Sequence, residues 1–280
     1  TRGIAGWFKL DFIDRALQPG ELCKISIIVT LSKYVSDCMD KEGKFRGLGY
    51  IIKTTMYCAV PTVLVMMQPD FGTAFVFICI MVFIYFIGRI SWGYILTAAG
   101  GLAVCMPLAY YFVLSDSQRE RIDVFINPES DLQNSGYNVA QSKIAIGSGQ
   151  LTGKGFFSEG TLAQLRFVPE RHTDFIFAGI VEGLGFVGGT IIICLFFALI
   201  FRWIYIAMRT KDSFGTCLVV GVAGMFTAHV FENIGMTIGL MPVTGIPLPF
   251  ISYGGSNLLT NLIGVGIVEN VWMRRQSKKR

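Results

Sequence analysis

The residues best placed to do chemistry lie in a short charged stretch, VPERHTD at 168–174, directly before the apolar run 175–201. Its ionisable side chains are Glu170, Arg171, His172 and Asp174. A carboxylate at the start of an apolar helix can act as a general base when a substrate hydroxyl comes within hydrogen-bond reach. Asp174 can also be an N-terminal helix cap, stabilised by the free N–H groups of the first turn. The local pattern weighs these two interpretations about equally, although the crowding of charge argues mildly against a simple cap.

Other ionisable residues flank the apolar runs. Glu21 and Lys24 are spaced i,i+3 and meet on one helix face, which is compatible with a polar site but favours a structural ion pair. Asp70 lies in a turn whose chemistry accounts for it, although its neighbour Gln68 leaves a role in a site open.

Glu182, His229 and Glu232 lie inside apolar runs. Glu182 is a functional candidate by default, because a charge inside a membrane segment is costly. His229 and Glu232 are again spaced i,i+3, and this spacing fits a buried hydrogen-bonded pair as well as part of a proton path.

A glycine-rich segment at 147–155 can present backbone N–H groups to a phosphate, although it lacks the spacing of a P-loop. Beside Arg119, Arg121 and Lys143, it predicts a site for an external anionic ligand. A lipid-linked pyrophosphate would suit, since its head would lie at the depth of these loops. The alternative is a flexible, solvated loop.

The elements that must position these residues cross a membrane. The chain is 52% hydrophobic and 15% charged, with a mean hydropathy of +0.56, which excludes an ordinary soluble domain. A helix of about 20 residues crosses the hydrocarbon core. The runs are continuous and do not alternate as barrel strands do, so we predict an all-α polytopic membrane protein. Its seven predicted transmembrane helices are 22–37, 50–67, 71–88, 93–114, 175–201, 213–240 and 250–273.

The positions of Lys and Arg predict the orientation, because these residues are enriched in cytoplasmic loops. One side collects most of them, including the tail 274–280, whereas the short loops 68–70 and 241–249 carry none. The C-terminus is therefore predicted to be cytoplasmic. Asp174 is predicted to be extracytoplasmic, at the end of one large external loop, 115–173. The net charge of +5 is a topology signal and does not indicate nucleic-acid binding.

Domain organisation and redox chemistry look simple at the sequence level. The cysteines lie in predicted spans or, for Cys38, in a cytoplasmic loop, so we expect no disulfide, and no pair has metal-ligand spacing. We expect residues 1–280 to form a single membrane domain. The chain starts at Thr1 without an initiating Met or a signal peptide, as a fragment beginning in an external loop would.

Four long motifs occur in a fixed order, QPDFGT at 68–73, QSKIAIGSG at 141–149, VPERHTDFIF at 168–177 and PLPFISYGG at 247–255. With QPGELCK at 18–24, they resemble the motifs of the SEDS family (shape, elongation, division and sporulation). The segment MPVTGIPLP at 241–249 is more similar to the elongation branch than to the division branch. The family has a ten-helix fold, so the resemblance implies that this chain carries seven of those helices and lacks the first three.

The resemblance implies a peptidoglycan glycosyltransferase of the bacterial cytoplasmic membrane that polymerises lipid II during cell elongation. Asp174 matches the essential carboxylate of the family and would deprotonate the acceptor sugar, with undecaprenyl pyrophosphate as the leaving group. The implied partners are a class B penicillin-binding protein and other proteins of the elongation complex. A bridging divalent cation, Mg²⁺ or Mn²⁺, is an alternative to protein cations at the pyrophosphate. The residues assigned to substrate binding are Glu21, Lys24, Asp70, Arg119, Arg121, Gln141, Ser142, Lys143, Lys154, Glu170, His172, Thr173, Ser252 and Tyr253.

Two other functions fit some of the same features. A lipid II flippase or other transporter would explain ionisable groups inside spans, and a scaffold for a transpeptidase would need no chemistry at all. The long charged external loop favours the enzyme, because a transporter concentrates its polar groups near the membrane midplane.

Overall fold

The computed structural model describes residues 8–10, 15–43, 47–68, 70–112, 119, 122–125, 135–155 and 173–277. The architecture is helical, as the sequence predicts. A single helical turn covers 122–125. The longer helices in the described part of the chain are α1 (Pro19–Glu42), α2 (Leu48–Met66), α3 (Phe71–Ile87), α4 (Trp92–Phe112), α5 (Ser135–Ser148), α6 (Ile176–Arg209), α7 (Ser213–Ile238) and α8 (Gly255–Ser277).

Two short strands, which the sequence did not indicate, precede α1. The strands β1 (Phe8–Leu10) and β2 (Arg15–Leu17) pair antiparallel, with Phe8 opposite Leu17. They add a two-stranded ribbon to an otherwise helical chain.

Each of the seven predicted spans contains a helix, namely α1 to α4 and α6 to α8. By length and composition, α2, α6 and α7 can cross a membrane, and α3 is a shorter apolar helix. Helix α5 lies within the predicted external loop 115–173. Its Val139 and Ser142 are buried, whereas Ile144 is 55% exposed, so one face of α5 is buried and the other is exposed.

Local sequence signals account for the ends of the first helices. Pro19 stands in the first turn of α1, where its missing N–H costs nothing. The helix ends at Gly43, which has a φ of 73° and donates its N–H to the Met39 carbonyl at 2.7 Å. Asp70 caps α3 by accepting a hydrogen bond from the Thr73 N–H at 3.0 Å.

The chain divides into two compact units. The first comprises Thr1–Ala103, Leu199–Ala228 and Gly255–Arg280, and the second comprises Val104–Ala198 and His229–Gly254. The prediction that residues 1–280 form a single membrane domain stays a prediction.

In the first unit, α1 packs against α2, α3 and α8. Its fully buried Leu31 and Val35 belong to the same core as Phe77 and Ile80 of α3. Some polar groups in this core are paired between helices, which offsets the cost of their burial. For example, the Tyr85 and Thr54 hydroxyls hydrogen-bond at 2.7 Å between α3 and α2.

In the second unit, α6 is broken at Gly185, whose φ of 71° and ψ of −172° suit glycine alone. The break leaves carbonyls before it and N–H groups after it without helical partners, which is costly in an apolar environment. The segment 150–155 pairs with both sets. The N–H groups of residues 154 and 155 donate to the carbonyls of 182 and 183, and those of 186 and 187 donate to 150 and 151, at 2.8–3.2 Å.

This pairing explains the glycine-rich segment and corrects its predicted role. A Cβ on Gly153 or Gly185 would collide with the backbone of the opposite segment. The backbone N–H groups of residues 149, 150, 153, 154 and 155 all donate to backbone carbonyls. The prediction that they cradle a phosphate is therefore wrong, because the glycines serve close packing instead.

We expect Gly185→Ala to destabilise the protein by about 3 kcal/mol. The estimate combines roughly 1–3 kcal/mol of backbone strain with roughly 1–3 kcal/mol for forcing a methyl group into packed backbone. Thermal unfolding of the purified protein in detergent checks this. Gly179→Ala in the same helix is the control, since a Cβ there meets nothing within 4 Å. Equal midpoints for the two variants would contradict the proposed role of the break.

Candidate functional site

The carboxylate of Asp174 lies in a turn, 173–175, directly before α6. The residue is half-buried. The next residue, Phe175, is 2% exposed and packs with Val139 of α5 and with Val243. Two residues further, Phe177 packs into a second core cluster with Leu248. These two aromatic anchors fix the entry of the chain into α6, and they fix Asp174 with it.

The backbone of Asp174 is held by the side chain of Asn233 on α7. The Asn233 carboxamide N–H groups donate to the Asp174 carbonyl at 2.9 Å and to the Ile246 carbonyl at 2.7 Å. Asn233 is fully buried, so no water competes for these donors. One side chain therefore joins the turn before α6 to the irregular segment 239–254.

A chain of buried hydrogen bonds connects Asn233 to α5. The Thr237 hydroxyl donates to the Asn233 carbonyl at 2.6 Å, and the Ser142 hydroxyl donates to the Thr237 carbonyl at 2.7 Å. Ser142, predicted to bind substrate, is fully buried and connects α5 to α7.

Ser252 makes a second connection to the same turn. Its hydroxyl donates to the Thr173 carbonyl at 2.6 Å and accepts a hydrogen bond from the Leu248 N–H at 2.8 Å. Nearby, the His229 Nδ1–H faces the Pro247 carbonyl at 3.1 Å. The adjacent Tyr253 is 77% exposed. Thr173 and Ser252 thus belong to the framework of the site, whereas Tyr253 presents its ring outward.

The side chain of Asp174 lies against Gly245. A Cβ added to Gly245 would lie 3.3 Å from Oδ2 of Asp174, which is tighter than ordinary contact. Gly245 also has a φ of 78°, which favours glycine. A half-buried carboxylate whose backbone is fixed on two sides can accept a proton from a hydroxyl brought to it.

The predicted basic residues of the second unit have different surroundings. Arg119 donates from Nε to the Tyr110 carbonyl and from a terminal nitrogen to the Tyr111 carbonyl, both at 2.8 Å, so it caps the end of α4. The Lys143 side chain packs on Gly239, just beyond the C-terminus of α7. Both Lys143 and Lys154 are exposed.

The Lys154 ammonium lies 3.9 Å from the buried Glu182 carboxylate, beside the break in α6. Gln141, also predicted to bind substrate, is half-buried on α5. Three predicted site residues, Arg121, Glu170 and His172, lie outside the described residues.

The other predicted site residues belong to the first unit. Glu21 and Lys24 form a buried ion pair at 2.6 Å, as their spacing favoured. Asp70, besides capping α3, accepts a hydrogen bond from the Gln18 side chain at 3.2 Å and from the Thr73 hydroxyl at 2.8 Å. Its structural role is therefore complete without a ligand.

Side chains that could bind a divalent cation do not cluster among the described residues. Among the described residues, no three His, Cys, Asp or Glu side chains gather in a way that could hold a metal ion. The bridging Mg²⁺ or Mn²⁺ stays a prediction, because an ion bound to substrate phosphates needs only one or two carboxylates from the protein.

Asn233 and Gly245 were not among the predicted site residues. Asn233 gives a usable signal, since it is a polar residue next to Glu232 inside an apolar run. Gly245 stands between prolines in the segment 241–249, where glycine looks like ordinary turn chemistry.

Comparison with known proteins gives matches along the whole chain. A family model described as cell cycle protein, FTSW_RODA_SPOVE, matches residues 1–277. The peptidoglycan glycosyltransferase MrdB of Escherichia coli K12 is 39% identical over 277 residues, covering 99% of this chain and 73% of that protein.

Two solved structures are similar in fold. One chain, from work on the coordination of polymerization and crosslinking by a peptidoglycan synthase complex, matches with a TM-score of 0.78 and 28% identity. That match covers 98% of this chain and 75% of the other. The rod shape determining protein RodA of Thermus thermophilus matches with a TM-score of 0.67 and 26% identity, covering 98% and 71%.

We expect Asn233→Ala to lower the thermal unfolding midpoint, because it leaves two buried carbonyls without their donor. Unsatisfied buried groups cost roughly 1–3 kcal/mol each. The control is Asn270→Ala on the exposed side of α8, which should unfold like the wild type. An unchanged midpoint for Asn233→Ala would show that the carboxamide does not hold the segment.

Proposed function

The chain belongs to the cell cycle protein family FTSW_RODA_SPOVE, and on that premise we propose that Asp174 carries its peptidoglycan glycosyltransferase activity. It is a multi-pass membrane protein, as the apolar helices and the relatives indicate. The observation that supports Asp174 is its fixed backbone. Asn233 and Ser252 hold the carbonyls of Asp174 and of the preceding Thr173.

In the proposed reaction, Asp174 is the general base. Its carboxylate takes the proton of an acceptor sugar hydroxyl, and the hydroxyl oxygen attacks the anomeric carbon of a lipid II donor. The bond from that carbon to the pyrophosphate oxygen breaks, so undecaprenyl pyrophosphate leaves with the electron pair. A single displacement of this kind inverts the anomeric centre.

The rate of this proton transfer depends on how accurately the Asp174 carboxylate is positioned. A base must lie within about 2.6–3.2 Å of the proton that it removes, and a misplacement of about 1 Å can cost about a hundredfold in rate. Gly245 leaves room for the carboxylate, and the Asn233 carboxamide prevents the turn from drifting. Asn233 and Gly245 are positioning residues in this scheme.

The leaving pyrophosphate requires positive charge. Lys143 and Lys154 are exposed ammonium groups of the same unit and are the residues that we assign to it. Arg119 is a weaker candidate, since two of its donors cap α4. Glu170, His172, Gln141 and Tyr253 stay predictions from the family motifs. Arg121 stays a prediction from the basic residues beside the glycine-rich segment.

We further propose the partners and the orientation. Lipid II is the substrate, the active site faces the extracytoplasmic side, and the C-terminus faces the cytoplasm. The partners are a class B penicillin-binding protein, which crosslinks the new strand, and other proteins of the elongation complex. Similarity to a chain from a peptidoglycan synthase complex that coordinates polymerization and crosslinking supports such a partner.

We expect Asp174→Asn to reduce polymerisation of labelled lipid II by about a hundredfold or more, the usual contribution of a general base. The assay uses the full-length protein with its partner. Asp37→Asn is the control, because that exposed carboxylate pairs with Lys33 on the surface of α1 and should leave the rate unchanged. A variant at Asp174 as fast as the wild type would refute the general-base role.

The same preparation separates the enzyme from a transporter. Vesicles carrying Asp174→Asn that translocate lipid II, combined with wild-type protein that never polymerises it, would support the flippase alternative.

We expect Gly245→Ala to lower kcat roughly tenfold with little change in KM, because its methyl group displaces the carboxylate by a few tenths of an ångström. Gly43→Ala is the matched control. It imposes the same left-handed strain at a φ of 73°, but a Cβ there meets nothing within 4 Å. Equal losses of activity in both variants would attribute the effect to stability and not to the position of Asp174.

A further inference from the structure

A basic and aromatic cluster lies where α6 ends and α8 ends, in the first unit. It consists of Arg202, Tyr205 and Arg209 on α6 and Trp272 on α8. The Arg202 guanidinium lies 4.7 Å from the centre of the Trp272 ring and 5.7 Å from the Tyr205 ring, and Arg209 lies 5.2 Å from Tyr205. These distances are within the range of cation–π contacts.

The buried side chains of α6 between residues 203 and 207 explain why the cluster faces outward. Trp203, Ile206 and Ala207 are buried, and Trp203 meets the Phe226 ring edge-on at 4.7 Å. That buried face fixes the rotation of the helix. The opposite face therefore presents both arginines, which are exposed, and the half-exposed Tyr205.

The two guanidiniums keep their hydrogen-bond donors available. Within the described residues, neither Arg202 nor Arg209 makes a hydrogen bond or an ion pair. The exposed Glu269, one turn before Trp272, is not paired with either of them. Stacking on a ring uses the face of a guanidinium and leaves its N–H edge free, which is the edge that binds phosphate in a bidentate way.

The neighbouring side chains indicate what kind of phosphate group the two guanidiniums would bind. Phe201, Met208 and Met273 are exposed to 64%, 74% and 63%. Apolar side chains this exposed fit contact with acyl chains, and the apolar run of α6 ends directly before Arg202. Tyrosine and tryptophan are typical of the level of the lipid headgroups.

We propose that this cluster is a binding site for the headgroup of an anionic phospholipid. Arg202, held between Trp272 and Tyr205, and Arg209, on the far side of Tyr205, donate to the phosphate, while Phe201, Met208 and Met273 contact the acyl chains. In the orientation predicted from Lys and Arg, the lipid belongs to the cytoplasmic leaflet, where anionic lipids attract basic residues.

The test measures lipid binding to the full chain in detergent by native mass spectrometry, with phosphatidylglycerol and phosphatidylcholine as the probes. The test variant is Arg202→Gln with Arg209→Gln. The matched control is Lys41→Gln with Lys211→Gln, which removes the same charge from exposed lysines of the same predicted side that contact no ring. The wild type and the control should bind phosphatidylglycerol in preference to phosphatidylcholine, and the test variant should bind phosphatidylglycerol about tenfold or more weakly.

Three results would overturn the proposal. An equal loss in the control would indicate general surface charge. Equal binding of the two lipids by the wild type would remove the headgroup specificity, and competition by inorganic phosphate at the same concentration would indicate a soluble anion. If the glutamine variant fails to fold, Arg202→Lys with Arg209→Lys keeps the charge but loses the planar donor edge. That variant should bind several-fold more weakly than the wild type, and wild-type binding would refute the site.

Discussion

The two hydrogen bonds that Asn233 donates hold together the region around Asp174. Backbone that leaves a helix in apolar surroundings must find partners for its polar groups, since each unpaired group there costs several kcal/mol. The segment 239–254 is irregular, and so is the turn before α6. Asn233 satisfies one carbonyl of each, and Ser252 satisfies a second carbonyl of the turn. Removing one carboxamide therefore affects two segments at once.

At the break in α6, the backbone polar groups must also find hydrogen-bond partners. There the backbone is satisfied by other backbone, because 150–155 exchanges hydrogen bonds with the residues on both sides of Gly185. The close approach leaves no space for a Cβ, which accounts for the glycines without a phosphate ligand. Buried Glu182 lies at this break, with Lys154 beside it. The costly ionisable residue and the costly irregular backbone thus occur together.

The neutral polar groups around Asp174 are buried, whereas the charged groups assigned to the substrate are exposed. The framework hydroxyls of Ser142, Thr237 and Ser252 and the amide N–H groups of Asn233 are buried and donate to backbone carbonyls. The ammonium groups assigned to the pyrophosphate are exposed. This division suits a transferase, whose base must be fixed while charged substrates arrive and leave. The arginines of the lipid cluster follow the same rule, since rings hold their faces and leave their donor edges free.

The positions of the helices could be predicted from hydrophobic composition and pattern, because apolar runs and their breaks are local properties of the sequence. The seven spans, the turn at Asp70 and the pair of Glu21 with Lys24 could all be predicted from neighbouring residues. Asp174 was singled out by its motif. The roles of Asn233, Gly245 and Arg119 could not be predicted in this way. Asn233 reaches a carbonyl 59 positions away, and Arg119 reaches one 9 positions away. The sequence by itself determined which groups could do chemistry and roughly where the helices run. Tertiary structure alone decided which polar side chains support the backbone, because that depends on which carbonyls remain unpaired after the helices have packed.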